Sequence, residues 1–201
     1  MVETLDQLEC HVGLLTETWF KESKKLTEDL KNLKHMTNYE TFCRNRDTGN
    51  GGGVAIMYKK GDLQMTQLKT GEKYEIVATI GRQTGQHRKF VVIAAYAPPN
   101  YTANENRGFL TRIADLVRNY KTKYQAPYII VDGDFNYRTI EDELREFRDL
   151  KLVKTPPTRG NNTLDLVFPN FKTSQAGVVE PVATVRSDKT LMNEVYVKEV
   201  R

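Results

Sequence analysis

The chain has 201 residues, 39% of them hydrophobic and 28% charged, with a formal net charge of +4. That length fits one domain spanning residues 1–201, able to bury a core without disulfide or metal staples. The composition excludes wholesale disorder, and the longest apolar run, Phe90 to Ala97, is too short to cross a bilayer.

Cys10 and Cys43 form no CxxC pair, which argues for a reducing compartment and against a zinc ribbon or a disulfide scaffold. No basic-then-apolar leader follows Met1. The expectation is an intracellular protein, nuclear or cytoplasmic, neither secreted nor in a membrane. The mild basic excess permits a polyanionic partner without demanding one.

Val12 to Thr16 reads as a short buried strand that ends in the polar patch Thr16-Glu17-Thr18. Residues 21–35 read as a charged surface helix with Leu26, Leu30 and Leu33 on one face. Gly53 to Tyr58, Tyr74 to Ile80 and Lys89 to Tyr96 are strand-like runs rich in Val and Ile. Gly81 to His87, between the last two, has the glycines and polar residues of a hairpin connection. Thr102 and Glu105 have capping-box spacing, and Phe109, Leu110, Ile113, Leu116, Val117 and Tyr120 follow as a helical stripe. Pro127 to Val131 is an apolar strand running into Asp132-Gly133-Asp134-Phe135-Asn136. Residues 140–150 read as a charged helix, and Leu164 to Phe168 and Val195 to Val200 as strands. Many strands with two or three helices imply sheets covered by helices.

The polar residues gather at strand ends. Glu17 follows one strand, Asp134 and Asn136 another, Asp165 interrupts a third, and Asp188 precedes the last. Sites in sheet proteins are commonly built from such positions. Four carboxylates and a carboxamide brought together form a hard, oxygen-rich site suited to Mg²⁺ or Mn²⁺. A lone Asp is more simply a turn or a cap, so the argument rests on the ordered set.

That set carries a resemblance. Leu14 to Phe20 (LLTETWF) looks like the "LTETWL" segment of the endonuclease domain of non-LTR (LINE-type) retrotransposons, which belong to the endonuclease/exonuclease/phosphatase superfamily. Asn50 to Ile56 (NGGGVAI) is similar to its Gly-rich lead-in to a strand, and Ala95 to Pro99 (AYAPP) resembles its "YxPP" turn. Gly133 to Asn136 resembles its "GDFN". Pro157-Thr158-Arg159 and Thr163 to Phe168 resemble "PTR…LDLVF", and Ser187-Asp188-Lys189 stands where the family has "SDH". "GDFN" alone is weak evidence; six motifs in order, from about residue 8 onward, are strong.

The resemblance implies a two-sheet α/β sandwich of the deoxyribonuclease-like type and Mg²⁺- or Mn²⁺-dependent nicking of DNA to a 3′-hydroxyl. It implies Glu17 as a metal ligand, with Asp188 beside or on the metal. Asp134 would orient or deprotonate the attacking water, Asn136 would hold water or phosphate, and Tyr96 would hydrogen-bond the scissile phosphate. Asp165 would orient the neighbouring catalytic histidine, and Thr158 would contact phosphate or substrate. Read without the resemblance, Tyr96 also fits core packing with a wet hydroxyl, and Thr158 a turn. Gly51-Gly52-Gly53 reads as freeing the backbone before a strand. Lys21, Lys24 and Lys25, and separately Arg82, Arg88 and Lys89, are able to contact DNA phosphates, though solvated faces are the better reading of both groups.

Two departures limit the resemblance. Lys189 stands where the catalytic histidine is expected, and a lysine, with a reference pKa of about 10.4, stays a cation and does not relay protons near neutrality. The expected result is an impaired or inactive enzyme. The resemblance also implies a first strand with a metal-binding asparagine, and with only Thr4 to Glu9 ahead of the Val12 strand that strand is expected to be missing. Two other readings stay open: a non-catalytic DNA- or protein-binding remnant, and a phosphatase or lipid phosphodiesterase on the same fold.

Overall fold

The computed structural model describes residues 10–18, 38–46, 51–125, 128–136, 147, 150–153, 164–171, 175–178 and 195–198. The expected helices over 21–35 and 140–150 lie outside these residues, apart from Phe147 and Leu150, as do Thr158, Asp188 and Lys189.

The strands alternate in side-chain direction, and burial follows that period of two. The first three, β1 (Val12–Thr16), β2 (Tyr39–Arg44) and β3 (Val54–Lys59), form an antiparallel sheet in the order β1-β3-β2. Next in the chain come β4 (Leu63–Leu68), β5 (Glu75–Gln83), β6 (Lys89–Tyr96), helix α1 (Ala103–Tyr124), β7 (Tyr128–Asp134) and β8 (Asp165–Pro169). The strands among them form a five-stranded sheet in the order β4-β5-β6-β7-β8. Among the described strands only β6 and β7 pair in parallel, and α1 is the crossover between them. A separate ladder joins β9 (Gln175–Val178) to β10 (Val195–Lys198).

Helix α1 starts where the capping box predicts. Thr102 accepts from the Glu105 N–H while the Glu105 carboxylate accepts from the Thr102 N–H, and Gln125 closes the helix in a left-handed conformation. The cap contributes about 1 kcal/mol. Phe109, Ile113, Leu116 and Tyr120 are buried with Ile76, Ile93, Ile129 and Val131 on one face of the larger sheet. Each such side chain, fully buried, contributes roughly 2 kcal/mol. The other face carries Val77, Val92, Ala94 and Tyr96, which pack against Val54, Ile56, Val12 and Leu14 of the smaller sheet. The result is the expected two-sheet sandwich with a helix outside.

Three details differ from the sequence reading. Gly81, Arg82 and Gln83 belong to β5 rather than to a connection, leaving a tight turn at Thr84 and Gly85. The cause is local: a Cβ on Gly81 would meet the Phe90 ring and the Met65 side chain, so the glycine makes room for both and stays in the ladder opposite Phe90. The apolar strand expected to end at Val131 continues through Asp132 and Gly133 to Asp134. Asp165, rather than interrupting a strand, opens β8.

Gly133 is where β6 and β7 come closest. A Cβ there would sit 1.8 Å from the Ala95 carbonyl oxygen, and the neighbour is backbone that cannot swing aside. Gly133→Ala is therefore expected to cost about 3 kcal/mol or more. Gly85→Ala, at φ 80° with nothing within 4 Å, should cost only about 1 kcal/mol. Urea unfolding midpoints for the two variants check this; equal losses would contradict it.

Candidate active site

The pairing register lines up four polar residues at one end of the larger sheet. Glu75 opens β5 opposite Tyr96, the last residue of β6; Tyr96 pairs with Asp134, the last of β7; and Asp134 pairs with Asp165, the first of β8. Paired residues share a face, so the row spans four adjacent strands at steps of about 4.8 Å. Tyr96 puts that face between the two sheets.

Glu17 reaches the row from the smaller sheet. Strict alternation would give it the same side as Leu15, whose cluster lies on the other face of that sheet. Its backbone instead turns left-handed, φ 51°, and its carboxylate Oε1 accepts a 2.7 Å hydrogen bond from the Tyr96 hydroxyl. Asn136 is also left-handed, φ 47°; its N–H donates to Asp134 Oδ1 at 2.9 Å and its side-chain amide to the Ala97 carbonyl at 3.2 Å. Among the described residues the third non-glycine with positive φ, Gln125, is the helix cap. The other two backbone outliers thus sit at the strand ends that carry the polar row.

Five of the residues singled out in the sequence, Glu17, Tyr96, Asp134, Asn136 and Asp165, therefore share one end of the sandwich. Arg82, Arg88 and Lys89 are exposed at the opposite end of β5 and β6, as expected of a solvated face.

Sequence reasoning missed three residues here. Glu75 is a buried carboxylate that accepts from the Gly53 N–H and from Arg46 Nε at 2.7 Å. The Arg46 guanidinium lies over the Tyr96 ring, 5.7 Å from its centroid. Asp132, one pleat further in on β7, is buried behind Asp165. A carboxylate opening an apolar strand was a visible signal for Glu75; Arg46 and Asp132 had none.

The electrostatics follow from this packing. Burial pushes the Tyr96 hydroxyl well above the usual range, with the hydrogen bond to Glu17 and the charges of Glu17 and Asp134 adding to it and Arg46 opposing. Tyr96 thus stays a protonated donor at neutral pH. Burial works against the Arg46 charge, but Glu75 and Tyr96 outweigh it and hold the guanidinium above its ordinary value. Burial, reinforced by Asp165 and opposed by the Gly133 N–H, raises Asp132 to about 8.

Residues 1–188 match the endonuclease/exonuclease/phosphatase family. The chain belongs to that family. Its members are metal-dependent hydrolases. The endonuclease domain of TRAS1, a telomere-specific non-LTR retrotransposon, superposes with a TM-score of 0.70 at 15% identity, covering 98% of this chain and 89% of that one. A mannosyl-6-phosphatase of Bacteroides thetaiotaomicron gives 0.71 at 13% identity, over 98% and 88%. D. rerio TDP2 complexed with a single-strand DNA product gives 0.63 at 14% identity, over 97% and 88%. At such identities these likenesses show the fold. No curated protein sequence matches.

The donors fit the metals such hydrolases use. Glu17, Asp134 and Asn136 offer hard oxygens suited to Mg²⁺ or Mn²⁺, with no thiolate or imidazole among the described residues of the row. No group of three or more acidic, histidine or cysteine side chains among the described residues is placed to hold a metal ion. Among the described residues no helix is long and apolar enough to cross a membrane.

The Asp132 shift carries a pH signature. Its folded-state value, about 8, lies above the ordinary 3.8, so the folded state holds a proton that the unfolded state releases. The associated stability is fully present below about pH 4 and is lost as pH rises through about 8. Melting temperatures taken between pH 5 and pH 8.5 should therefore fall more steeply for the wild type than for Asp132→Asn. Parallel curves would contradict the shift.

Proposed function

We propose that the chain is a divalent-metal-dependent phosphodiester hydrolase acting on DNA, of retrotransposon endonuclease type, slowed by the lysine at position 189. The observation that carries this reading is the Glu75–Tyr96–Asp134–Asp165 row with Glu17 bonded across it. The resemblance in motif order to retrotransposon endonucleases supports DNA over other phosphate esters.

In this reading Glu17 and Asp188 would hold a divalent cation, which when bound would supply charge neutralisation at the scissile phosphate. Asp134, fixed by the Asn136 N–H, orients a water and takes its proton as the water oxygen bonds to phosphorus. Asn136 positions that water or a phosphate oxygen, and the Tyr96 hydroxyl donates to a non-bridging oxygen. The bond from phosphorus to the 3′-oxygen breaks; the oxygen leaves with the electron pair and takes up a proton, giving a 3′-hydroxyl and a 5′-phosphate. Thr158 contacts a neighbouring phosphate. Lys189, which in the sequence stands where the family's histidine is expected, would supply fixed positive charge where a histidine would also move a proton. Losing that transfer lowers the rate by about 10²–10⁴.

Nicking of supercoiled plasmid in Mg²⁺ tests the reading. Lys189→His should accelerate nicking by about 10²-fold or more, and Asp134→Asn should slow the Lys189→His enzyme by at least as much. A wild type as fast as Lys189→His would remove the impairment, and an undiminished Asp134→Asn would remove the assigned site. DNA binding with no cleavage by either protein would favour the non-catalytic remnant. Hydrolysis of small phosphate monoesters without nicking would favour a phosphatase.

A further inference from the structure

Glu17, Glu75, Asp134 and Asp165 put four carboxylates at one end of the sandwich. A phosphodiester cannot approach such a surface without compensating positive charge. Arg46 is a cation in contact with the row: it bonds Glu75 and covers the ring of Tyr96.

Its surroundings hold it in one place. Glu75 is itself fixed by the Gly53 N–H. The Arg46 guanidinium also lies where a side chain on Gly52 would be: a Cβ there would come within 2.5 Å of its terminal nitrogen. On Gly53 a Cβ would collide with Thr18 Oγ1. Thus Gly52 and Gly53, at φ 78° and 90°, do more than free the backbone before β3. They let the mouth of the site close down around Arg46 and Thr18. A guanidinium has five N–H donors in a planar fork; Nε serves Glu75, Nη2 is buried against Gly52, and the side chain as a whole remains 26% exposed.

We propose that Arg46 is a substrate-phosphate-binding residue, clamped by Glu75 against Tyr96 so that its guanidinium receives a phosphate of the DNA strand next to the one Tyr96 contacts. This rests on the reading of the row as a phosphodiester site and adds a residue to it. Because the side chain is already ordered, little rotamer freedom is lost when the phosphate docks. Lysine cannot replace it fully: a point charge reproduces the attraction but not the fork that grips Glu75 and phosphate together.

The test is fluorescence anisotropy of a short labelled DNA duplex with Ca²⁺ across a salt series. The proteins compared are the wild type, Arg46→Lys, and the double variant Arg46→Gln/Glu75→Gln, which leaves no orphaned buried carboxylate. The double variant should weaken binding about tenfold at low salt and lower the slope of log affinity against log salt by about one. Arg46→Lys should restore the slope while leaving affinity below wild type. An ion pair serving only the fold would change the melting temperature and leave the slope unmoved, which overturns the proposal. Should the double variant not fold, phenylglyoxal modification of the wild type, mapped by mass spectrometry, tests the same contact. Bound DNA should protect Arg46, and unchanged labelling overturns the proposal. Wild type that binds DNA with Arg46 uninvolved defeats this inference alone; wild type that does not bind DNA defeats the parent reading as well.

Discussion

The hydrogen bond from the Tyr96 hydroxyl to Glu17, 2.7 Å long, ties the end of β6 in one sheet to the end of β1 in the other. Everything at the candidate site depends on that closure. Tyr96 is held from below by the apolar layer between the sheets and from either side by Glu75 and Asp134 in register. Glu17 reaches it only because its backbone leaves the strand in a left-handed turn. The parallel β6–β7 pairing that sets Asp134 beside Tyr96 depends in turn on Gly133, where no side chain could fit against Ala95. A small set of backbone constraints thus converts an ordinary sandwich into a rigid polar rim, which is the kind of frame that fixed-geometry chemistry needs.

The charge pattern of that rim follows from its density. Carboxylates on neighbouring strands disfavour one another's ionisation, and three devices offset the repulsion. Arg46 pairs with Glu75. Asp132, buried one pleat inside the row, keeps its proton to about pH 8. The third, in the proposed reading, would be a divalent cation of the kind this family's hydrolases use, held at the mouth by Glu17. Tyr96 sits among these charges as a neutral donor with its proton firmly held, suited to meeting a phosphate oxygen rather than to acting as a base.

Much of this was legible in the sequence where the signal was local. The capping box at Thr102 and Glu105 and the apolar stripe behind it locate α1, and Lys89 to Tyr96 is β6 residue for residue. The strand-end carboxylates were visible because apolar runs stopped at them. What escaped was set by pairing across the chain. Strand β4 carries the right alternation, Leu63 and Met65 buried with Gln64 and Thr66 exposed, but its polar half hid it. Strand β2 is largely half-buried and shows no clean period. Glu75 joins the site only through the β5–β6 register. Arg46 belongs to a polar loop whose destination depends on the glycines that follow it. Gly81 read as a turn because its reason for being glycine, the Phe90 ring opposite, is non-local.

The most direct measurement of the central claim, that this rim is a divalent-metal site built on Glu17, is Mn²⁺ titration followed by electron paramagnetic resonance. The free-ion signal should be quenched to one equivalent by the wild type and should persist with Glu17→Gln, whose fold is verified by its melting curve. An absence of binding by the wild type, or equal binding by Glu17→Gln, would contradict the claim.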